Sequence, residues 1–547
     1  MDLVAEQTNT NLASKFVGHL GLIAGMCDEL GIAEIIDEVI PSDSLNKKVS
    51  HGQCVVAMVL NGLGFTNKAL YLFPEFFEDK PIDRLIGQGI QANDLNDDAL
   101  GRTLDAIYKF NPTELYSKIA IQATKKLGLK PKSCHLDSTS FHVDGQYNDS
   151  SPPDEDSRLI HVTKGYSRDH RPELNQVILN LIVENQASIP LFMQTASGNS
   201  TDKKDFTKIV KNHVAQIKNH TGIEYVIADS ALYHEKGLKN LDNSHLFITR
   251  VPETFKESKA LIKKSSSLEL TQIDDNYSYH ELTSTYGDCP QRWFLIKSIH
   301  AQSRESRTVR KRFLKGSEQE YKNFTKICRQ KYSSRKEVID AYGAFSKTLK
   351  FTSIHDVEII ENKHHHQPGK PLKGAKPKRI SFSISGNISS SLEVYQATLS
   401  TKGFFILATN DMNKARLSPA DALAEYKGQN KVEKGFRFLK SPYLFASSLY
   451  LKKVERIMSL MMIMTVSLMV YAAIEYRIRQ ELVKQEKTFP HQTGKLIKNP
   501  TAKWIFDCFV GVHILMIDNV KEVVLNLQDR HKTILECLGS KYRRIYS

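Results

Sequence analysis

Between Ile457 and Ile474 the chain reads IMSLMMIMTVSLMVYAAI, eighteen residues without a charge. A run of that length must be kept from water, either across a bilayer or at the centre of a large core. Five methionines, two serines and a threonine lie within it, Lys452, Lys453, Glu455 and Arg456 precede it, and Glu475, Arg477 and Arg479 follow. Basic residues on both sides give none of the asymmetry that orients a membrane span. The expectation is a helix buried on all sides in a core, with no membrane partner. Two further features point to the cytoplasm. The first residues, MDLVAEQTNTNLASKF, lack the basic stretch and apolar run of a secretory signal. The seven cysteines are scattered without a CxxC pair, which fits a reducing compartment and argues against a zinc knuckle.

A chain of 547 residues exceeds what one core usually organises, so two or three domains are expected. Its 41% hydrophobic and 25% charged residues are globular composition, not disorder. Residues 1–130 read as a helical, DNA-binding N-terminal domain without an internal repeat, with clear caps: Ser50 before HGQCVVAMVLNGLG, and Asn111-Pro112 with Glu114 completing a capping box. After Pro131 the pattern changes. SCHLDSTSFHV, NQVILNLIV (175–183) and IPLFMQTA (189–196) read as strands, the last two as a hairpin. A helix over 202–217, a strand at 224–228, a helix near 232–241 and a strand at 246–251 follow. Three antiparallel strands, then helix, strand, helix, strand, is the order of an RNase H-like sheet.

The expected fold class is therefore α/β: an RNase H-like core, a mixed sheet flanked by helices, in two parts (131–251 and 401–480). Between them, 252–400 reads as a β-rich insertion with a basic helix and a basic loop, and 481–547 as a helical C-terminal region. Ser418-Pro419 caps a long helix that holds YKGQNKVEKGFRFLK.

Within this frame three acids stand out. Asp137 interrupts the first strand, where an unpaired buried carboxylate is costly. Asp229 ends the strand VIAD, where capping the next helix is an equally good explanation. Glu433 is the lone acid of its lysine-rich helix. In an RNase H-like sheet the first strand neighbours the fourth, which sets Asp137 beside Asp229. Three converging carboxylates repel one another unless cations offset them. Hard oxygen ligands suit Mg²⁺, and two such ions roughly 3.5–4 Å apart serve in-line displacement at phosphorus. Tyr426, Glu433 and Lys440 are seven residues apart in turn, so on one continuous helix they share a stripe, with Gln429 between the first two. The excess of 75 Lys+Arg over 61 Asp+Glu, +14 net, suits a polyanionic partner.

Tyr-x2-Gln-x3-Glu-x6-Lys resembles the Y-x2-R-x3-E-x6-K signature of the DDE transposases of bacterial insertion sequences, the cut-and-paste branch with a β-rich insertion before its last acid. HLDSTSFHVDG, GYSRDHRPELNQ (165–176) and VIADSALY resemble that family's segments around its first two acids. The intervals of 92 residues between Asp137 and Asp229, and 204 between Asp229 and Glu433, accommodate the insertion. One departure is Gln429, a neutral amide where the signature has an arginine that would grip phosphate.

The resemblance implies a transposase that binds terminal inverted repeats, cleaves the strand at each end and joins the freed ends to target DNA. It implies Asp137, Asp229 and Glu433 as catalytic metal ligands for two Mg²⁺, with Mn²⁺ able to substitute, and Tyr426, Gln429 and Lys440 as DNA contacts. It also implies a homodimer on DNA in the bacterial cytoplasm. Lys370, Lys373, Lys376 and Lys378, in the basic loop KHHHQPGKPLKGAKPKR, are further candidate DNA contacts, and His364, His365 and His366 read as solvated loop residues. The alternatives are a DNA-binding protein derived from a transposase without catalysis, and a structure-directed nuclease on the same fold.

Overall fold

The computed structural model describes residues 12–41, 48–65, 69–143, 147, 158–239, 241, 245–365, 376–441, 451–517 and 521–547. They fall into two compact units, one of Met1–Thr249, Thr285–Gln291 and Thr409–Ser547, the other of Arg250–Ser284 and Arg292–Ala408.

The first unit is built around the apolar helix, Val454–Lys484. Its length and composition would allow it to cross a membrane, yet 94% of its most apolar window is buried within the fold. The helices Asp97–Phe110, His51–Leu63 and Pro112–Leu127 pack around it. The serines and threonine of its apolar stretch are all hydrogen-bonded. Ser459 Oγ donates to the Leu104 carbonyl at 2.7 Å, and Thr465 and Ser467 donate to carbonyls one turn back in their own helix. At its N-terminal end Arg456 forks onto Asp105 with two bonds of 2.7 Å. That bond holds the Asp105 carboxyl below the usual carboxylate range.

The helix caps follow the sequence at one site and depart from it at another. Ser50 and Gln53 form the reciprocal box that starts His51–Leu63. Asn111 starts Pro112–Leu127, but its side chain accepts from Thr113 N–H at 3.0 Å rather than sharing a box with Glu114. The φ of +110° at Asn111 brings its carboxamide to the second helical amide.

The ends of the chain contain strands where helix was expected. Strand β1, Leu12–Phe16, pairs antiparallel with His513–Ile517, which pairs with Lys521–Leu525. A strand of five residues whose partner lies some five hundred positions away leaves little local signal.

The main sheet of this unit holds β2 (Ser133–His142), β3 (Gln176–Glu184), β4 (Pro190–Ser197), β5 (Tyr225–Ala228) and β6 (Leu246–Arg250), in the order β4-β3-β2-β5-β6. The first three run antiparallel, and β5 and β6 run parallel to β2. Between β4 and β5 a helix begins at Asp202, passes through a π-helical segment at Val210–Val214 and ends at Thr221. The helix after β5, Glu235–Lys239, is shorter than its apolar pattern foretold. Asp411 is fully buried and ties the last part of the chain to β5: it accepts from the Tyr225 hydroxyl at 2.5 Å and from Arg416 at 2.7 and 2.8 Å. Burial raises its pKa, but Arg416 and Tyr225 outweigh that and leave it at about 2.

The second unit contains the strands Tyr277–Tyr286, Cys289–Ser298 and Phe404–Thr409, a long antiparallel hairpin of Thr352–His364 with Arg379–Ser390, and the 31-residue helix Ile299–Arg329. Phe313 and Phe324 bury one side of that helix, and Arg304, Arg307 and Arg310 are exposed on it.

Candidate functional site

Strand register places the first two acids. In the parallel pair of β2 and β5, Leu136 lies opposite Ala228, so Asp137 and Asp229 follow at the same level on neighbouring strands. Asp137 is 8% exposed. Burial pushes its carboxyl up to about 6, against the pull of Arg168 and of a bond from Ser138 N–H, and Asp229 and Asp202 add to the rise. Asp229 is half-buried and its carboxyl is raised by burial and by Asp202, while a 2.9 Å bond from Ala231 N–H and the charge of Arg168 oppose this. Asp229 thus does not cap the next helix, which begins only at Glu235; its bond to Ala231 N–H closes a turn two residues on, and Asp202 is its acidic neighbour.

Asp202, at the start of the helix after β4, was not singled out by the sequence. Its carboxylate accepts from Ser138 Oγ at 2.6 Å and from Arg168 Nη2 at 2.5 Å. Arg168 also bonds Ser138 through both its Oγ, at 2.7 Å, and its carbonyl, and its Nη1 lies 3.5 Å from Asp137 Oδ1. Sequence alone carries no signal for Asp202, since an acid in the first turn of a helix is ordinary. Arg168 thus braces the middle of β2.

Three carboxylates, Asp137, Asp202 and Asp229, thus stand against one guanidinium. The hard oxygen donors and excess negative charge are of the kind that suits a divalent cation.

The helix with Glu433 is where structure and sequence diverge. Ser418 and Asp421 form a capping box with Pro419 in the first turn, but the expected single helix is two, Pro419–Lys427 and Asn430–Leu439. At Gly428 and Gln429 the backbone tightens to three-residue bonds, with Gln429 N–H on Tyr426 and Val432 N–H on Gln429. The cause is close packing on β2. A Cβ at Gly428 would stand 2.8 Å from His135 Nε2, so only glycine lets the turn lie on that imidazole. Tyr426 is therefore not on one unbroken helical stripe with Glu433 and Lys440.

Below the turn the helices are pinned to the sheet. Glu425 accepts from Ser133 Oγ and from Asn185 Nδ2 at 3.1 Å, and Lys431 donates to the Asn185 carbonyl. Val432, Phe436 and Leu439 are buried, as their stripe foretold. The helix Asn430–Leu439 packs on β2 and β3, and Glu433 lies on its exposed side. Among the described residues, no three His, Cys, Asp or Glu side chains are grouped as metal ligands. Tyr426 and Gln429 are half-buried. Lys440 pairs with Asp169 at 2.8 and 3.0 Å, above the ring of Phe141. His135, two residues before Asp137, is buried with neither ring nitrogen hydrogen-bonded, and burial holds its pKa at about 4. Of the basic loop, Lys370, Lys373 and His366 lie outside the described residues; Lys376 and Lys378 are exposed, and His364 bonds Ser381 across the hairpin.

A family model described as "Domain of unknown function (DUF4277)" matches residues 12–121, within the helical N-terminal region. No curated protein matches the sequence. Among solved structures, the chain is similar to a piggyBac transposase in a cryo-EM synaptic complex with hairpin DNA, at 8% identity and a TM-score of 0.38, over 96% of this chain and 80% of that one. A likeness that loose leaves both fold and function to be argued from the residues.

Proposed function

We propose that the chain is a DDE-type transposase of an insertion sequence, binding the element's terminal inverted repeats and catalysing Mg²⁺-dependent strand cleavage and strand transfer. The observation that carries this reading is the β2–β5 register, which sets the buried Asp137 abreast of the half-buried Asp229, at the positions of its signature motifs. The strand order β4-β3-β2-β5-β6 supports the RNase H-like core on which that chemistry is built. Divalent cations, when bound, neutralise phosphate charge and activate the attacking oxygen. Asp137 and Asp229 would hold them, with Glu433 joining from its helix. Tyr426 and Gln429 would bind DNA backbone beside the acids, and Lys440 would exchange Asp169 for a phosphate. Lys370, Lys373, Lys376 and Lys378 would add salt-dependent contacts. The working form would be a homodimer pairing two ends in the bacterial cytoplasm.

A second reading, a DNA-binding relative without catalysis, is favoured by one observation, the exposed Glu433. Cleavage separates the two. Purified protein is incubated with DNA carrying the gene's flanking inverted repeats and Mg²⁺ or Mn²⁺. End-specific nicking lost in Asp137→Ala, Asp229→Ala and Glu433→Ala supports the transposase; binding to the repeats without any nicking supports the second reading.

A further inference from the structure

Arg168 sits where a cation is needed. Its guanidinium lies against the middle of β2: Nη2 bonds Asp202 Oδ2 at 2.5 Å and Ser138 Oγ at 2.7 Å, and Nη1 bonds the Ser138 carbonyl and lies 3.5 Å from Asp137 Oδ1. Ser138 Oγ closes the ring by donating to Asp202 Oδ1 at 2.6 Å. The arginine side chain is 31% exposed while that of Asp137 is 11% exposed, so the guanidinium is nearer solvent than the carboxylate. An arginine used only as a brace would need one carboxylate, and Asp202 supplies it with close bonds. The longer approach to Asp137 leaves that carboxylate held chiefly by Ser138 N–H, at 2.8 Å, with lone pairs to spare.

We propose that Arg168 is the built-in counter-charge of the acidic site, a positioning residue anchored on Asp202 that offsets Asp137 in the free protein and opposes a divalent cation arriving there. This rests on the metal-site reading of Asp137 and Asp229. The fixed positive charge lowers affinity for the incoming cation, because like charges a few ångströms apart repel even at the moderate effective dielectric of a protein surface. Asp202 sets the strength of that opposition by holding the guanidinium away from Asp137.

The test titrates Mn²⁺ alone into metal-free, DNA-free full-length protein, read by calorimetry and by the Mn²⁺-induced rise in melting temperature. Arg168→Gln should bind Mn²⁺ roughly tenfold more tightly than wild type, with a lower melting temperature before metal and a larger rise on adding it. Arg168→Lys, which keeps the charge and loses the fork, should bind Mn²⁺ close to wild type. Asp202→Asn should bind more weakly, since a local negative charge is lost and the freed arginine closes on Asp137. Equal or weaker Mn²⁺ binding in Arg168→Gln would make the arginine a structural brace and overturn the proposal while leaving the metal site intact. If Arg168→Gln does not fold, Arg168→Lys and Asp202→Asn decide: tighter binding in either overturns it. Wild-type protein that binds no Mn²⁺, with Asp137→Ala unchanged from it, would overturn both this inference and the metal-site reading.

Discussion

The apolar helix Val454–Lys484 and strand β2 are both buried, and they treat polar groups in opposite ways. On the helix Ser459, Thr465 and Ser467 each find a carbonyl, so the hydroxyls of its apolar stretch are all partnered. On β2 the Asp137 carboxyl is raised to about 6 and His135 has neither nitrogen hydrogen-bonded. Burial with satisfied polarity stabilises; burial of an incompletely offset charge is a cost that persists where chemistry needs it. The difference separates the part of the molecule that holds the fold from the part to which the proposed function assigns the chemistry.

The largest expected effect tests the helix. Leu468 is 5% exposed and packs beneath Gly435 of the Glu433 helix. Leu468→Lys would bury an unpaired ammonium, costing on the order of 5 kcal/mol, and should leave the protein unfolded or insoluble by circular dichroism. A folded variant, or wild-type protein recovered only in washed membranes, would break the contrast at its stable end. Next comes the site itself: Asp137→Ala, Asp229→Ala and Glu433→Ala should each lower end cleavage by about a thousandfold or more while repeat binding stays near wild type. Survival of cleavage in one variant removes that residue from the site.

The sharpest test asks β2 to become more stable when disabled. The Asp137 pKa is raised from 3.8 to about 6 on folding. Its favourable contribution is therefore fully present below about pH 4 and is lost as pH rises through about 6. Asp137→Asn in metal-free buffer should then be more stable than wild type at pH 8, by on the order of 2 kcal/mol, with the gap closing towards pH 4 in denaturant melts. A variant less stable at pH 8 would mean that Arg168 compensates Asp137 fully. The smallest effect is on the helix again. Ser459→Ala leaves the Leu104 carbonyl without that donor and should cost about 1 kcal/mol at every pH. A gain in stability there would erase the distinction between the two regions.

Much of this was legible along the chain. Each strand from β2 to β6 is short, bounded by turn residues and rich in β-formers, so local pattern located it; the hidden apolar helix announced itself by length alone. Asp137 and Asp229 were visible as acids in strands that should not carry them. Asp202 was not, because an acid opening a helix is ordinary until Ser138 and Arg168 are seen to converge on it. Likewise, seven-residue spacing promised one stripe for Tyr426, Glu433 and Lys440, but the turn at Gly428 forms against His135, nearly three hundred positions earlier, and no local pattern records that contact.

Periodicity and residue type, which act over a few neighbours, thus determined by themselves the segments of β2 to β6, which helix must be hidden and which acids stand out. Register, the pairing of β1 with His513–Ile517, the break between Lys427 and Asn430 and the closing of Arg168 on Asp202 were decided only in three dimensions. Each depends on groups far apart in the chain meeting at bonding distance, and only the packed core fixes which of them meet.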